Sequence, residues 1–270
     1  MPQSLRASDL KLFLSFAQRL ADVSGPAVLK HFRKPIPIQN KATGGDFDPV
    51  TKADRAAEKA ISDLLRATFP DHGMIGEEYG TRNPGSRFQW VVDPIDGTRA
   101  YIMGSPMWGT LIGLLDDGKP VLGLMDQPFT GERIWSNGGG TYYGMRGSPP
   151  KRVKTRLCDK LEDATFTTTH PDLFVGPKQQ KVLHDLKSKV RMSRFGGDCY
   201  LYALLAQGFA DLIIEAGLKI YDIAPLIPII EGAGGRVTTW TGEPATNGGN
   251  VITSGDARLH DQALKILAQA

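Results

Sequence analysis

The 270 residues include 41% hydrophobic and 23% charged side chains, proportions that favour a globular protein with a sizeable core over a disordered chain. A formal net charge of +3 without any long lysine or arginine block argues against nucleic acid as a partner, and no uncharged apolar run approaches the ~20 residues that cross a bilayer. Cys158 and Cys199 are too few for a disulfide framework or a zinc site, so a reducing, cytoplasmic setting is expected.

From Asp9 to Phe32, Leu10, Phe13, Leu14, Ala17, Leu20 and Ala21 recur at helical spacing and predict an amphipathic helix ended by Pro35 and Pro37. A glycine-rich stretch at Gly44-Gly45 leads to Thr51-Lys52-Ala53-Asp54. A second helix follows, carried by Ala57, Ala60, Ile61, Leu64 and Leu65 and closed by Pro70. Trp90-Val91-Val92 reads as a buried strand that ends abruptly in Asp93-Pro94. The runs Thr110 to Leu115 and Val121 to Met125 flank Asp116-Asp117-Gly118-Lys119, whose Asp-Gly pair suits a hairpin turn. Gly147-Ser148-Pro149-Pro150 reads as a boundary. It divides an α+β part, residues 1–148, from an α/β part, residues 149–270. In the latter, strands near Ala164 to Thr168 and Leu212 to Glu215 alternate with helices at Lys178 to Leu186, Tyr200 to Ala206 and Leu259 to Leu267.

The chemistry concentrates in Asp93-Pro94-Ile95-Asp96-Gly97-Thr98. Two carboxylates three residues apart around a proline are presented to nearly one place, where they repel unless a cation sits between them. Oxygen ligands without histidine or cysteine favour a hard ion, magnesium above all. Gly97 lets the backbone approach a ligand, and the N–H groups that follow could cradle phosphate if a helix starts there. An aspartate-rich turn that merely caps backbone groups gives the same local pattern. Gly76-Glu77-Glu78 adds an acidic pair that reads equally as a solvated turn. Thr51 to Asp54 approximates a capping box. Asp222 precedes a helical pattern over Ile223 to Ala233, with Pro225 in its first turn, and reads equally as an N-cap. Pro228 lies deeper in that predicted helix, where proline costs ~3 kcal/mol, and the sequence offers no reason for it.

The joint occurrence, in order, of Asp48-Pro49-Val50-Thr51-Lys52-Ala53-Asp54, Gly76-Glu77-Glu78, Trp90 to Thr98, and Tyr221-Asp222 through Glu231-Gly232-Ala233-Gly234-Gly235 resembles the inositol monophosphatase family. The resemblance implies a layered αβαβα fold shared with fructose bisphosphatase. It places an antiparallel sheet in the first half, a mixed sheet in the second and the site between them. It further implies a homodimer, a phosphomonoester substrate and up to three Mg²⁺ ions. Glu77, Asp93 and the Ile95 carbonyl would hold the first ion and Asp93, Asp96 and Asp222 the second, with Glu77 also facing the third. Asp96, Gly97 and Thr98 would contact phosphate, and Asp54, paired with the Thr98 hydroxyl, would activate water. Lys41 would either steer phosphate or remain solvated.

Within the family, Gly97-Thr98-Arg99-Ala100-Tyr101, Gly104-Ser105-Pro106 and Gly196-Gly197-Asp198-Cys199-Tyr200 resemble the histidinol-phosphate phosphatase branch. Arg99, Asp198 and Glu215 are then the expected substrate contacts. Asp198 departs from the small neutral residue of the inositol-specific pattern. The rival readings are an inositol or other sugar-phosphate phosphatase of the same fold, and a catalytically silent magnesium or nucleotide binder. Intact Asp54, Glu77, Thr98 and Asp222 argue against the silent binder.

Overall fold

The computed structural model describes residues 5–35, 37–40, 49–136 and 138–269; Lys41, Gly44-Gly45 and Asp48 lie outside them. The first helix, α1 (Ala7–Leu29), buries Phe13, Phe16, Ala17, Leu20, Ala21 and Val28 along one face. It stops short of the predicted Phe32, and Arg33, in the left-handed conformation at φ 57°, redirects the chain before Pro35. The short antiparallel pair β1 (Ile38–Asn40) and β2 (Pro49–Thr51) precedes α2 (Lys52–Thr68), which opens on the capping box the sequence suggested.

The large sheet is built from β3 (Gly73–Gly76), β4 (Gly80–Arg82), β5 (Phe88–Asp96), β6 (Gly109–Asp116), β7 (Lys119–Gln127), β8 (Glu132–Ser136), β9 (Thr141–Met145) and β10 (Lys151–Val153), with α3 (Thr98–Met103) between β5 and β6. Its order is β10-β9-β8-β7-β6-β5-β3-β4. The expected antiparallel pairing holds except between β3 and β5, which run parallel. The hairpin partner of β3 is the edge strand β4, so the chain must return past β3 before laying down β5. The β6–β7 turn is made by Asp117 and Gly118, both at positive φ, as the Asp-Gly pair requires. The sheet extends past Gly147–Pro150, because β10 pairs with β9.

The remaining elements are β11 (Thr165–Thr168), α4 (Pro177–Lys187), β12 (Met192–Phe195), α5 (Asp198–Ala206), β13 (Leu212–Leu218), α6 (Ile220–Ile223), α7 (Leu226–Gly232), β14 (Arg236–Thr239), β15 (Gly249–Ser254) and α8 (Ala257–Leu267). The second sheet, ordered β12-β11-β13-β15-β14, is mixed: β11 runs parallel to β12 and β13, and β15 antiparallel to β13 and β14. Helices α1 and α2 cover one face of the large sheet. Helices α5 and α7 lie between the sheets, and α4 and α8 cover the outer face of the second. This is the αβαβα order the family resemblance implied. The middle core joins Leu111 and Met125 of the large sheet to Leu205, Ile229, Ile213 and Val251. Among the described residues no helix is long and apolar enough to cross a membrane.

The continuous helix expected over Ile223 to Ala233 is instead two helices, interrupted at Ala224-Pro225, although both of these residues keep right-handed helical backbone angles. Pro228 therefore sits in the first turn of α7, where its missing N–H would have had no intrahelical acceptor, and the apparent mid-helix proline carries no penalty. Pro225, between the two helices, presses on the large sheet at Gly113 and Gly123, which face each other across β6 and β7. A Cβ on Gly123 would collide with the Pro225 carbonyl oxygen, and one on Gly113 would lie 3.0 Å from the Pro225 Cα. Two glycines in adjacent strands thus admit the Pro225 backbone, three residues after Asp222, close against the sheet.

Candidate active site

Strand β5 delivers Asp93 and Asp96 through a bulge. Asp93 pairs with Leu111 and Asp96 with Gly109, so the β5 side carries an extra residue. The bulge is held by the Thr110 hydroxyl donating to the Pro94 carbonyl at 2.8 Å and by the Ile95 N–H donating to Asp93 Oδ1 at 3.0 Å. Helix α6 brings Asp222 from the far side, with Oδ2 accepting the Lys219 N–H at 2.6 Å. Carboxylate oxygens of Asp93, Asp96 and Asp222 all lie within 4.8 Å of one another.

These like charges disturb one another. Burial, reinforced by Glu77, Asp96 and Asp222, raises Asp93 well above the ordinary carboxylate range. Burial and then Asp198 and Asp222 do the same to Asp96, against a hydrogen bond from the Cys199 N–H. Asp222 is pushed up to about 7, first by burial. Three convergent, oxygen-only acids whose mutual repulsion a cation would relieve fit a hard metal ion. Glu77 follows β3, its N–H bonded to the Val92 carbonyl at 3.2 Å, and lines the same cavity as Asp96 and Asp222.

One acid that sequence reasoning missed supports this loop. Glu58 on α2 is fully buried and accepts the N–H groups of Glu78 at 2.7 Å and Tyr79 at 2.9 Å. Its signal was legible in the spacing, because Asp54 and Glu58 stand four apart on the face that buries Ala53, Ala57, Ile61 and Leu65. An acid on an apolar stripe needs a reason.

Asp54 is fully buried and serves two neighbours. Its Oδ2 accepts from the Thr51 N–H and hydroxyl, completing the capping box, while Oδ1 lies 3.4 Å from the Thr98 hydroxyl. That hydroxyl is also 3.0 Å from the Ile95 carbonyl. Burial raises Asp54 above its ordinary range, partly offset by the Thr51 bonds. Gly97, at φ +90°, starts α3, and a Cβ there would meet the Met107 carbonyl at 2.9 Å and Asp198 Oδ2 at 3.1 Å. Glycine is needed both for the left-handed backbone and for the close approach of Asp198.

A cavity of about 560 Å³ opens from this loop and includes Thr98, Arg99, Asp198, Tyr202, Glu215 and Lys219 in its wall. Asp198 begins α5 and is pushed up to about 6, chiefly by burial, with the Gly197 N–H and Arg99 pulling the other way. Glu215 is buried on β13, accepts the Thr169 N–H at 2.7 Å and the Thr168 hydroxyl at 3.3 Å, and is pushed up to about 8 by burial. Arg99 is exposed at the rim. Thus Asp54, Glu77, Asp93, Ile95, Asp96, Gly97, Thr98, Arg99, Asp198, Glu215 and Asp222, spread over more than half the chain, converge on one region.

The model of the inositol monophosphatase family matches residues 9–270. The bifunctional phosphatase IMPL2, chloroplastic, of Arabidopsis thaliana is 42% identical, the match covering 98% of this chain and 78% of that protein. A histidinol-phosphatase of Mycobacterium tuberculosis is 32% identical over 95% of this chain and 96% of its own. The solved structure of an inositol monophosphatase from Zymomonas mobilis superposes with a TM-score of 0.84 at 40% identity, covering 98% of this chain and all of that one.

Proposed function

The chain belongs to the inositol monophosphatase family and is a phosphatase; from that premise we propose that it hydrolyses L-histidinol phosphate to L-histidinol and phosphate, using Mg²⁺. The observation that carries the substrate is the Asp198 carboxylate, packed against Gly97 with Glu215 in the wall of the same cavity. Histidinol phosphate brings an ammonium and a titratable imidazole to that end of the pocket, whereas inositol phosphates bring only hydroxyls. Acid groups in a partly desolvated pocket favour the cationic ligand.

Asp93, Asp96 and Asp222, with Glu77 and the Ile95 carbonyl, would hold magnesium. Bound there, the metal would supply charge neutralisation for the reacting oxygens and a lowered water pKa. In this reading Thr98 and Asp54 orient the attacking water, and Asp54 accepts its proton through the Thr98 hydroxyl as the new oxygen–phosphorus bond forms and the ester bond breaks, the leaving histidinol oxygen taking a proton from solvent. The Gly97 and Thr98 N–H groups face the phosphate, and Arg99 and Asp198 orient the remainder of the substrate. A homodimer in a reducing cytoplasm completes the reading; Cys158 and Cys199 are both buried and unbridged.

Phosphate release measured in parallel on histidinol phosphate, inositol 1-phosphate and fructose bisphosphate tests it. The expected result is the highest kcat/KM for histidinol phosphate. A preference for inositol 1-phosphate would instead establish the second reading, which is favoured by the likeness to the Zymomonas mobilis enzyme.

A further inference from the structure

Helix α5 starts badly on local grounds. Its N-cap, Gly197, offers no side chain to the first turn and sits at φ 130°, and Asp198 is held at φ +43°, in the left-handed region. A helix start that is uncapped and backbone-strained needs tertiary contacts to keep its geometry. Two of the first three residues supply them. The Cys199 N–H donates to Asp96 Oδ2, and the Tyr200 hydroxyl donates to Glu132 Oε2 at 2.6 Å. The first contact is part of the acid cluster. The second reaches across to β8 of the large sheet, away from it.

Glu132 is built as an anchor. Besides Tyr200 it accepts the Tyr143 hydroxyl at 2.6 Å and the Thr130 hydroxyl at 2.7 Å. Burial raises its pKa, but these donors outweigh burial and keep it below the ordinary carboxylate range. It is therefore a charged acceptor tied to the turn that precedes its strand and to β9, and a charge-assisted hydrogen bond to such a group is short and directional.

We propose that Tyr200, acting through Glu132, is a positioning residue: it sets the first turn of α5 against the large sheet, so that Asp198 meets Gly97 and the Cys199 N–H meets Asp96. The inference rests on the reading of Asp96 as a metal ligand and Asp198 as a substrate contact. Tyr200 does not line the cavity that Asp96, Asp198 and Asp222 share. Its hydroxyl governs how one oxygen of Asp96 is occupied and where the Asp198 carboxylate stands, and displacements of an ångström at such groups cost up to ~10²-fold.

Tyr200→Phe and Tyr143→Phe make the test. Each deletes one hydroxyl bonded at the same distance to the same carboxylate, but only Tyr200 is on α5. Both variants should lose comparable thermal stability. Only Tyr200→Phe should weaken Mg²⁺ binding by calorimetry and lower the ratio of kcat/KM for histidinol phosphate over glycerol phosphate, each by roughly three- to tenfold. Glu132→Gln, which keeps an acceptor, should lie between Tyr200→Phe and the parent. Equal Mg²⁺ affinities and equal substrate ratios in the two tyrosine variants would overturn the proposal. If Asp198→Ala leaves the substrate ratio unchanged while Mg²⁺ affinity still falls in Tyr200→Phe alone, the substrate reading fails and the positioning role stands.

Discussion

The Asp54 carboxylate is divided between Thr51 and Thr98: one oxygen accepts from the N–H and hydroxyl of Thr51, and the other lies 3.4 Å from the Thr98 hydroxyl. The helix cap and the candidate proton acceptor are therefore one group, and a capping box does not count against a catalytic role. The cap fixes the carboxylate so that its free oxygen faces Thr98.

Replacement of Asp54 by Asn separates the two roles. The amide oxygen can still accept from Thr51, so the cap loss should stay within the ~0.5–2 kcal/mol typical of N-caps. Turnover should fall ~10²–10⁴-fold with substrate binding retained. A melting curve and steady-state kinetics on the same preparation decide it, and a loss under about tenfold would leave only the cap.

The acid cluster predicts an unusual pH dependence in chelator. Asp222 is pushed up to about 7 from 3.8, so in the metal-free protein the folded state keeps a proton that the unfolded state has released. Stability should then fall as pH rises from about 4 to about 7, and lie lower still at pH 8. Mg²⁺ should raise the melting temperature more at pH 8 than at pH 6. Asp93→Asn and Asp222→Asn should each abolish turnover and weaken Mg²⁺ binding by calorimetry while reducing this alkaline loss. Wild-type Mg²⁺ affinity in either variant would contradict the ligand assignment.

Selectivity should reside in Asp198. Loss of an ionic hydrogen bond costs ~1.5–3 kcal/mol, or about 10–150-fold, and Asp198→Ala should lower kcat/KM for histidinol phosphate by that order, with a much smaller effect on a neutral sugar phosphate. Asp198→Asn should fall between the two. Equal losses on every phosphomonoester would reassign Asp198 to the fold or the metal site.

His260 should govern part of the acid limb of stability. It is fully buried, 2.9 Å from both the Ser254 and Thr238 hydroxyls, and pushed down to about 4 from 6.5, first by burial and then by Arg236, against Asp261. Its contribution is complete above about pH 6.5 and is lost as pH falls toward 4, up to ~3 kcal/mol. His260→Gln should flatten the denaturant midpoint over that window; an unchanged slope would show that other groups set it.

Gly123→Ala should reach the metal site from outside it. The added methyl collides with the Pro225 carbonyl, so the backbone before α7 must lift, at a cost typical of overpacking, ~1–3 kcal/mol. Asp222 should move with it. Reduced Mg²⁺ affinity beside the lowered stability is the expected pair of results, whereas lowered stability alone would show that Pro225 yields without moving α6.

The sequence by itself determined the residue types and the strand that presents them. Trp90-Val91-Val92 followed by Asp93-Pro94-Ile95-Asp96-Gly97-Thr98 is legible because an apolar run changes to acids around a proline and a glycine within a few residues, and the structure places it as strand, bulge and helix start. Helices α1, α2, α4, α5 and α8 and the β6–β7 hairpin were legible for the same reason: their signals are local, in spacing and turn chemistry. Only the tertiary structure decided which acids meet. Asp222 reaches Asp93 because Gly113 and Gly123, some 100 residues earlier, leave room for the Pro225 backbone. The break between α6 and α7 also places Pro228 in a first helical turn, which periodicity along the chain does not reveal. The burial of Glu58 is legible in its helical spacing, but the loop it holds is not, and the Tyr200–Glu132 pair is hidden altogether, since hydrogen bonds spanning 20 and 68 residues leave no spacing rule in the chain. Local backbone preference and apolar periodicity are written residue by residue. The convergence of like charges is not, because it is unfavourable on its own and exists only where burial of the surrounding layers holds it.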